Sequence, residues 1–237
     1  NLEDVLHTIQ QTTQLNPDRL AFYSYAHVPW IKGNGQRGFK DDDVPKDELK
    51  RTLYEEGKKK LLAHGYHEIG MDHFALKSDA MYQAFQQGSL HRNFMGYTAS
   101  KTQLMIGLGL SSISDSWYSF AQNEKTLEDY YARLEQNEIP VFRGHVLTAE
   151  DLMIRRHILN LMCSFQTSWA EPEMQFPELP EVLKQLEEMQ EDGLLTLFED
   201  HLQVTEQGKP FVRNICMAFD LRLKRKVPST RIFSMTI

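Results

Sequence analysis

Two apolar segments, residues 19–28 and 66–76, flank a charged helical pattern, and this arrangement most restricts the fold. Apolar or aromatic residues occupy both alternating faces of residues 19–28, as is typical of strands buried between the layers of a parallel sheet. Residues 46–64 have helical periodicity, and Gly65 is placed to end that helix. Residues 32–45, rich in glycine and aspartate, predict an exposed loop. The order therefore predicts an α/β fold with right-handed β–α–β crossovers.

The chain opens inside an amphipathic pattern. Apolar residues at positions 2, 5, 6 and 9 share one helical face, and Asn16 and Pro17 interrupt the pattern. The first residue is Asn1 rather than Met. We therefore expect a helix at the very start, in a chain that is a piece of a longer protein.

The last ninety residues have a different pattern. Thr148 and Asp151 form a capping-box variant ahead of a helical run, and Pro180 suits the first turn of a second helix. A polar turn at 199–201 separates two short alternating segments, which predicts a hairpin, and a final helix starts near Glu206. The sequence therefore predicts a mostly helical, winged-helix-like domain.

The charge of this region argues against a nucleic-acid partner. Residues 145–237 contain ten Lys or Arg and fourteen Asp or Glu, and the whole chain has a formal net charge of −7. The predicted hairpin turn is acidic, whereas phosphate binding needs cations there. The one basic cluster, residues 222–226, lies at a helix end where cations are favourable anyway. A winged-helix regulator therefore remains only as an alternative function.

The cysteines and histidines predict no metal centre in this chain. Cys163 and Cys216 are 53 positions apart and lie on apolar helix faces, so they are expected to be core residues. His27, His73 and His91 lack the spacing of a zinc site and are expected to form hydrogen bonds. No apolar run reaches the roughly 18 residues of a membrane helix, so no membrane partner is predicted.

Three short segments are candidate binding sites. Ala26 ends an apolar segment, and its small side chain would let a ligand approach the backbone. Asp72 and His73 border another such segment, where they form either a polar site or an internal hydrogen-bonded pair. Residues 107–112 contain Gly107 and Gly109 and partly resemble a nucleotide-binding loop, but also suit a strand whose backbone approaches a neighbour closely.

Six ordered stretches together resemble the oxygen-independent coproporphyrinogen III oxidases, a family of radical S-adenosylmethionine enzymes. They are PDRLAFYSYAHVPW (17–30), GYHEIGMDHFAL (65–76), LHRNFMGYT (90–98), GLGLSSIS (107–114), FRGHVLTAEDLMIRRHIL (142–159) and VTEQGKPFVRNICMAFD (204–220). The resemblance spans essentially the whole chain. Haem chaperones on the same scaffold are the alternative within the superfamily.

The resemblance implies oxidative decarboxylation of two propionates of coproporphyrinogen III to vinyl groups, which gives protoporphyrinogen IX for haem synthesis. In the family, a C-x-x-x-C-x-x-C motif holds a [4Fe–4S] cluster that reduces S-adenosylmethionine to a deoxyadenosyl radical, and an electron acceptor, unidentified here, completes the reaction. This chain lacks the motif. It therefore resembles the C-terminal half of the enzyme, with no catalytic residue or metal ligand of its own, and we expect it to be inactive alone.

The resemblance also implies cofactor contacts. Ala26 matches a family position that contacts the cluster-bound S-adenosylmethionine, and Ile113 matches one that contacts a second S-adenosylmethionine. Phe94 and Met95 match the FQ pair of NFQGYT near that second molecule. Met95 replaces the glutamine, which removes an amide donor and acceptor from the second site.

The implied organisation is a C-terminal portion of a radical S-adenosylmethionine (β/α) partial barrel over residues 1–144, followed by the winged-helix-like domain over 145–237. The family resemblance implies a cytoplasmic protein. A truncated barrel leaves an unpaired strand edge near residues 19–28, and such edges are templates for association. We therefore expect the fragment to self-associate.

Overall fold

The computed structural model describes residues 1–28, 38 and 40–225, which form two compact units. The first unit comprises residues 1–86 and the segment from Leu221, and the second comprises residues 87–220. Half of the predicted loop at 32–45 (residues 32–37 and 39), and Lys226 of the basic cluster, lie outside the described residues. The predicted boundary after residue 144 falls inside the second unit and stays a prediction about the domain organisation of the family.

Helices and strands alternate irregularly along the chain. The helices are α1 (Leu2–Leu15), α2 (Asp47–Ala63), α3 (Ala80–Gln86), α4 (Leu127–Glu135), α5 (Ala149–Ser164), α6 (Leu179–Gln185), α7 (Glu187–Glu191), α8 (Val212–Phe219) and α9 (Leu221–Arg225). The strands are β1 (Arg19–Ala21), β2 (Tyr66–Gly70), β3 (His73–Leu76), β4 (His91–Asn93), β5 (Gly96–Thr98), β6 (Leu104–Met105), β7 (Ile113–Ser116), β8 (Ser119–Asn123), β9 (Val141–Val146), β10 (Gln166–Ser168), β11 (Leu195–Leu197) and β12 (His201–Val204). Single 3-10 turns occur at Asp41–Asp43, Pro172–Met174 and Lys209–Phe211.

The described strands form four sheets, in the orders β1-β3-β2, β4-β5, β6-β7-β8-β9 and β10-β12-β11. None of these sheets closes into a barrel, and the predicted mixture of helix and sheet is confirmed. In the described part of the chain, each helix is too short or too polar to cross a bilayer.

The predicted direct parallel pairing is wrong, although β1 and β2 do run in the same direction with α2 between them in the sequence, because β3 separates them in the sheet. Both β1 and β2 pair with β3 in antiparallel register. Residues 66–76 are a hairpin rather than one strand, because Met71 has a positive φ of 46° and the chain reverses there. The segment at 19–28 has strand structure only over Arg19–Ala21, and Tyr23 and Tyr25 are 68% and 55% exposed. Their aromatic character therefore did not reflect burial between two layers.

The first unit is held by a core between α1, α2 and the hairpin. Ile9, Leu61, Tyr66 and Phe74 are buried together there. The Tyr66 hydroxyl donates a 2.7 Å hydrogen bond to the carbonyl of Pro17, which ties the hairpin to the turn after α1. Of the apolar positions predicted for α1, Ile9 is buried in this core and Val5 packs against it, whereas Leu2 is exposed. Helix α1 begins with a capping box at Asn1 as its N-cap.

The second unit ends in a helical region that follows the predicted order, except that the helix predicted to start near Glu206 begins as α8 at Val212. The capping box at Thr148 starts α5, and the hairpin β11–β12 forms where the alternating segments were predicted. The sequence did not indicate β10, which pairs with β12. Buried His157 interacts through Nδ1 with Thr167 Oγ1 (2.8 Å) and through Nε2 with the Met174 carbonyl (2.9 Å). Burial lowers the pKa of this imidazole, so it packs in its neutral form.

Candidate functional site

One face of the sheet β6-β7-β8-β9 collects side chains from three strands. The antiparallel register aligns Ile113, Gln122 and Arg143 in one row across β7, β8 and β9. The next row on the same face, two residues along each strand, aligns Asp115, Phe120 and His145. Neighbours in a row lie about 5 Å apart. The register therefore places charged, amide, imidazole and apolar groups side by side.

An open cleft of about 440 Å³ lies on this face. It is lined by Phe94, Ile113, Phe120, Ala121, Gln122, Arg143, Gly144 and His145. The apolar side of the cleft has two aromatic rings, and the polar side has one guanidinium, one amide and one imidazole. Small-molecule sites typically combine an apolar wall with a few oriented polar groups. The cleft is therefore the candidate functional site.

A buried ion pair fixes the position of Phe94 at the cleft. Asp115, only 5% exposed, accepts a 2.8 Å hydrogen bond from Arg155 Nη2 on α5 and a 3.0 Å bond from the Phe94 backbone N–H. Arg155 also donates to the carbonyls of Ser116 and Trp117. Its guanidinium lies 5.0 Å from the centre of the Phe120 ring. Arg155 therefore supports both aromatic residues of the cleft: Phe94 through the shared Asp115 carboxylate, and Phe120 through direct contact with its ring.

The polar side of the cleft is also held in place. Arg143 Nε donates a 2.9 Å hydrogen bond to Gln122 Oε1. The Gln122 amide nitrogen donates to the carbonyl of Ser111 at 3.2 Å, so the orientation of the amide is fixed. His145 Nε2 lies 3.1 Å from Oδ2 of Asp151, the residue that completes the capping box of α5. Each polar group therefore has a partner that orients it.

Two of the four predicted cofactor contacts meet in this cleft. Phe94 and Ile113 line it, and Phe94 is 54% exposed and accessible to a solute. Met95 is 77% exposed and is not among the lining residues; its backbone N–H bonds to Asn93 Oδ1. Ala26 belongs to the first unit, between β1 and the residues outside the description.

Sequence reasoning missed Gln122, Arg143 and His145. Arg143 and His145 occur in the stretch FRGHVLTAEDLMIRRHIL, which carries part of the family resemblance, but neither residue was singled out. In a strand, Arg143 and His145 lie two residues apart and therefore share one face, with Gly144 on the other. The partner strand that places Gln122 beside Arg143 could not be identified from that alternation.

The glycine-containing segment at 107–112 is a packed connection. A Cβ on Gly107 would lie 2.7 Å from the carbonyl oxygen of Ile113, which confirms the predicted close backbone approach. The predicted strand is wrong for this segment, because β6 ends at Met105 and β7 begins at Ile113. Asn123 Nδ2 donates to the carbonyl oxygens of Gly107 (3.3 Å) and Gly109 (2.9 Å) and to Ser112 Oγ (3.0 Å). These contacts give the glycines a structural role.

The other candidates offer no cluster ligands. Burial raises the pKa of Cys163 to about 11 and that of Cys216 to about 12, so both are protonated thiols at neutral pH. Within residues 1–28, 38 and 40–225, no group of three or more His, Cys, Asp or Glu is arranged to hold a metal ion. A [4Fe–4S] cluster therefore does not fit these residues. Asp72 and His73 lie at the β2–β3 turn, where the backbone carbonyl of Asp72 accepts a 2.8 Å hydrogen bond from the Phe22 N–H. Whether their side chains form a polar site or an internal hydrogen-bonded pair stays a prediction.

Several known proteins are similar to this chain. A family model described as the HemN C-terminal domain matches residues 147–211. The oxygen-independent coproporphyrinogen III oxidase of Escherichia coli (strain K12) is 38% identical over 94% of this chain and 50% of its own length. The protein of the same name from Thermostichus vulcanus is 37% identical over 97% of this chain and 72% of its own length.

A solved structure is similar over the same region. It is described as "Coproporphyrinogen III oxidase (HemN) from Escherichia coli is a Radical SAM enzyme". It aligns with a TM-score of 0.86 and 37% identity over 94% of this chain and 52% of that chain. The chain spans about half the length of the E. coli relative, but nearly three quarters of the T. vulcanus protein. On this similarity, the chain belongs to the oxygen-independent coproporphyrinogen III oxidase family.

Proposed function

We propose that this chain forms part of an enzyme that oxidatively decarboxylates two propionates of coproporphyrinogen III to vinyl groups, yielding protoporphyrinogen IX. The observation that carries the proposal is 38% identity to a curated oxidase over 94% of the chain. The oxidase name of the curated relatives favours this function over a haem chaperone or a DNA-binding regulator. The substrate partner is coproporphyrinogen III, and the electron acceptor is unidentified. The proposed compartment is the cytoplasm, as the family resemblance implies.

The proposed cofactors are a [4Fe–4S] cluster and S-adenosylmethionine. When bound, they supply the radical that removes a hydrogen atom from a propionate. The cluster ligands must come from outside residues 1–237, because a cluster on cysteines needs more than Cys163 and Cys216. The described residues bind and orient small molecules: Phe94 and Ile113 form an apolar wall of the cleft. We assign contacts with a second S-adenosylmethionine to these two residues and to Met95, and a contact with the cluster-bound S-adenosylmethionine to Ala26.

The proposed domain organisation keeps the predicted boundary. Residues 1–144 would complete a partial barrel together with strands from outside the chain, and residues 145–237 would be a winged-helix-like domain. The order of α5, α6, the β11–β12 hairpin and α8 supports the second part. The three described sheets formed by β1 to β9 do not close on themselves, which is compatible with the first.

Self-association of the isolated chain is a further part of the proposal. Strand β1 is at the edge of its sheet among the described residues, so one side of Arg19–Ala21 has no neighbouring strand there. We expect light scattering of the purified 237-residue chain to show a mass that rises with concentration. A constant monomer mass at high concentration would contradict this.

A chimera tests the function directly. Residues 1–237 replace the matching half of the E. coli oxidase, and the purified protein is assayed without oxygen for conversion of coproporphyrinogen III in the presence of S-adenosylmethionine. We expect the chimera to release carbon dioxide and form protoporphyrinogen IX, whereas residues 1–237 alone do neither. A folded, cluster-loaded chimera without conversion would refute the function, and turnover by the chain alone would refute the predicted inactivity.

A further inference from the structure

We infer that Arg143 binds a carboxylate of the ligand that occupies the cleft, and that Gln122 positions its guanidinium for this purpose. The inference rests on the proposed function for the identity of the ligand. It adds an anion-binding group to a cleft whose assigned contacts, Phe94 and Ile113, are both apolar. The expected ligand class is a small molecule with an apolar body and an ionised carboxylate.

The hydrogen bonds of Arg143 leave its charge available. Its Nε donates to Gln122 Oε1, a neutral acceptor. In the part of the chain that the structure describes, no carboxylate forms an ion pair with Arg143, and no further hydrogen bond engages its two terminal nitrogens. The guanidinium is exposed at the cleft. A fixed, accessible guanidinium fork is the geometry that binds a carboxylate in a bidentate manner.

The other charged groups around this face are already paired. Asp115 is bonded to Arg155, and Asp151 is bonded to His145 and to the backbone of Thr148. Neither carboxylate can therefore neutralise Arg143 without breaking those bonds. The cleft carries an excess positive charge next to the apolar surface of Phe94 and Ile113. A carboxylate with an apolar body is complementary to both features.

Two molecules of the proposed reaction carry such a carboxylate: the methionine part of S-adenosylmethionine and the propionates of coproporphyrinogen III. The test is a titration of the 237-residue chain with S-adenosylmethionine and, separately, with coproporphyrin III, the stable oxidised form of the substrate. The variants are Arg143→Gln and, as a matched control on the surface of α5, Arg156→Gln. Both variants remove one positive charge from the same unit.

We expect Arg143→Gln to weaken binding of at least one probe about tenfold, as is usual for the loss of a charged hydrogen-bond pair, and Arg156→Gln to change affinity less than twofold. Weaker binding of S-adenosylmethionine alone identifies the methionine carboxylate, and decarboxylated S-adenosylmethionine should then bind the wild type and Arg143→Gln equally. Weaker binding of the porphyrin alone identifies a propionate.

Equal affinities in Arg143→Gln and Arg156→Gln would overturn the inference, as would the failure of both probes to bind the wild-type chain. Circular dichroism of both variants shows whether the fold is retained. The chimera assay separates the two proposals. If the chimera is inactive but Arg143→Gln still weakens binding of a probe, the proposed function is refuted and the anion site is retained. If the chimera is active but Arg143→Gln binds both probes like the wild type, the function is retained and the anion site is refuted.

Discussion

Replacing Asp115 with alanine is expected to lower the free energy of unfolding by about 3–5 kcal/mol, because it breaks a buried ion pair from one side. Asp115 and Arg155 have side chains that are only 4% and 14% exposed, and the guanidinium of Arg155 lies near the Trp117 and Phe120 rings. Without the carboxylate, the charge stays partly buried without its ionic partner. The Phe94 backbone N–H also loses its acceptor, so the apolar wall of the cleft should loosen.

Urea denaturation measures the first effect, and titration with S-adenosylmethionine measures the second. The matched control is Glu138→Ala, which removes one of the two carboxylate partners of Arg133, in an ion pair whose carboxylate is 51% exposed. Exposed pairs contribute about 0–1 kcal/mol, so the control should remain near the wild type. If Asp115→Ala were as stable as Glu138→Ala, the ion pair would not hold this part of the fold, and the argument for the position of Phe94 would fail.

Helices could be predicted well from the sequence because their signals are local. Capping boxes at Asn1 and Thr148 mark the starts of α1 and α5, and the left-handed Asn16 ends the first of them. The predicted end of α2 is also confirmed, because Gly65 follows the helix with a left-handed φ of +88°. Capping and left-handed turns depend on a few neighbouring residues, and these are present in the sequence itself.

The pairing of strands could not be predicted, because its determinants are not local. The reversal within residues 66–76 occurs at Met71 and Asp72, just after Gly70, and Met71 is a residue type that rarely takes a positive φ. The parallel pairing was inferred from apolar residues on both faces of residues 19–28 and from the order of elements, and neither signal shows that β3 lies between β1 and β2. Family resemblance was enough to identify Phe94 and Ile113. The neighbouring positions of Gln122 and Arg143 could be identified only from the register of β8 and β9, which is not local.

Gly208 is the position where a single methyl group is expected to do the most damage. A Cβ there would lie 1.7 Å from the Leu194 carbonyl oxygen and 2.6 Å from its carbon. That carbonyl cannot move away easily, because it accepts a hydrogen bond from the Thr205 N–H at 3.0 Å. The N–H of Gly208 in turn donates to the Thr205 hydroxyl at 3.0 Å. Two backbone segments are thus held in direct contact, which only glycine permits.

We therefore expect Gly208→Ala to destabilise the protein by more than about 4 kcal/mol, which is exceptional for one methyl group, or to prevent folding. The backbone of Gly208 is ordinary right-handed, with φ −83° and ψ −17°, so the effect is purely steric. Gly88→Ala is the control: its φ is +67°, but nothing lies within 4 Å of the added Cβ. It should show only the left-handed strain of about 1–2 kcal/mol. Thermal and urea unfolding of both variants measures the loss of unfolding free energy. Equal losses in Gly208→Ala and Gly88→Ala would mean that the backbone near Leu194 can move to accommodate the added methyl group, which would contradict the prediction.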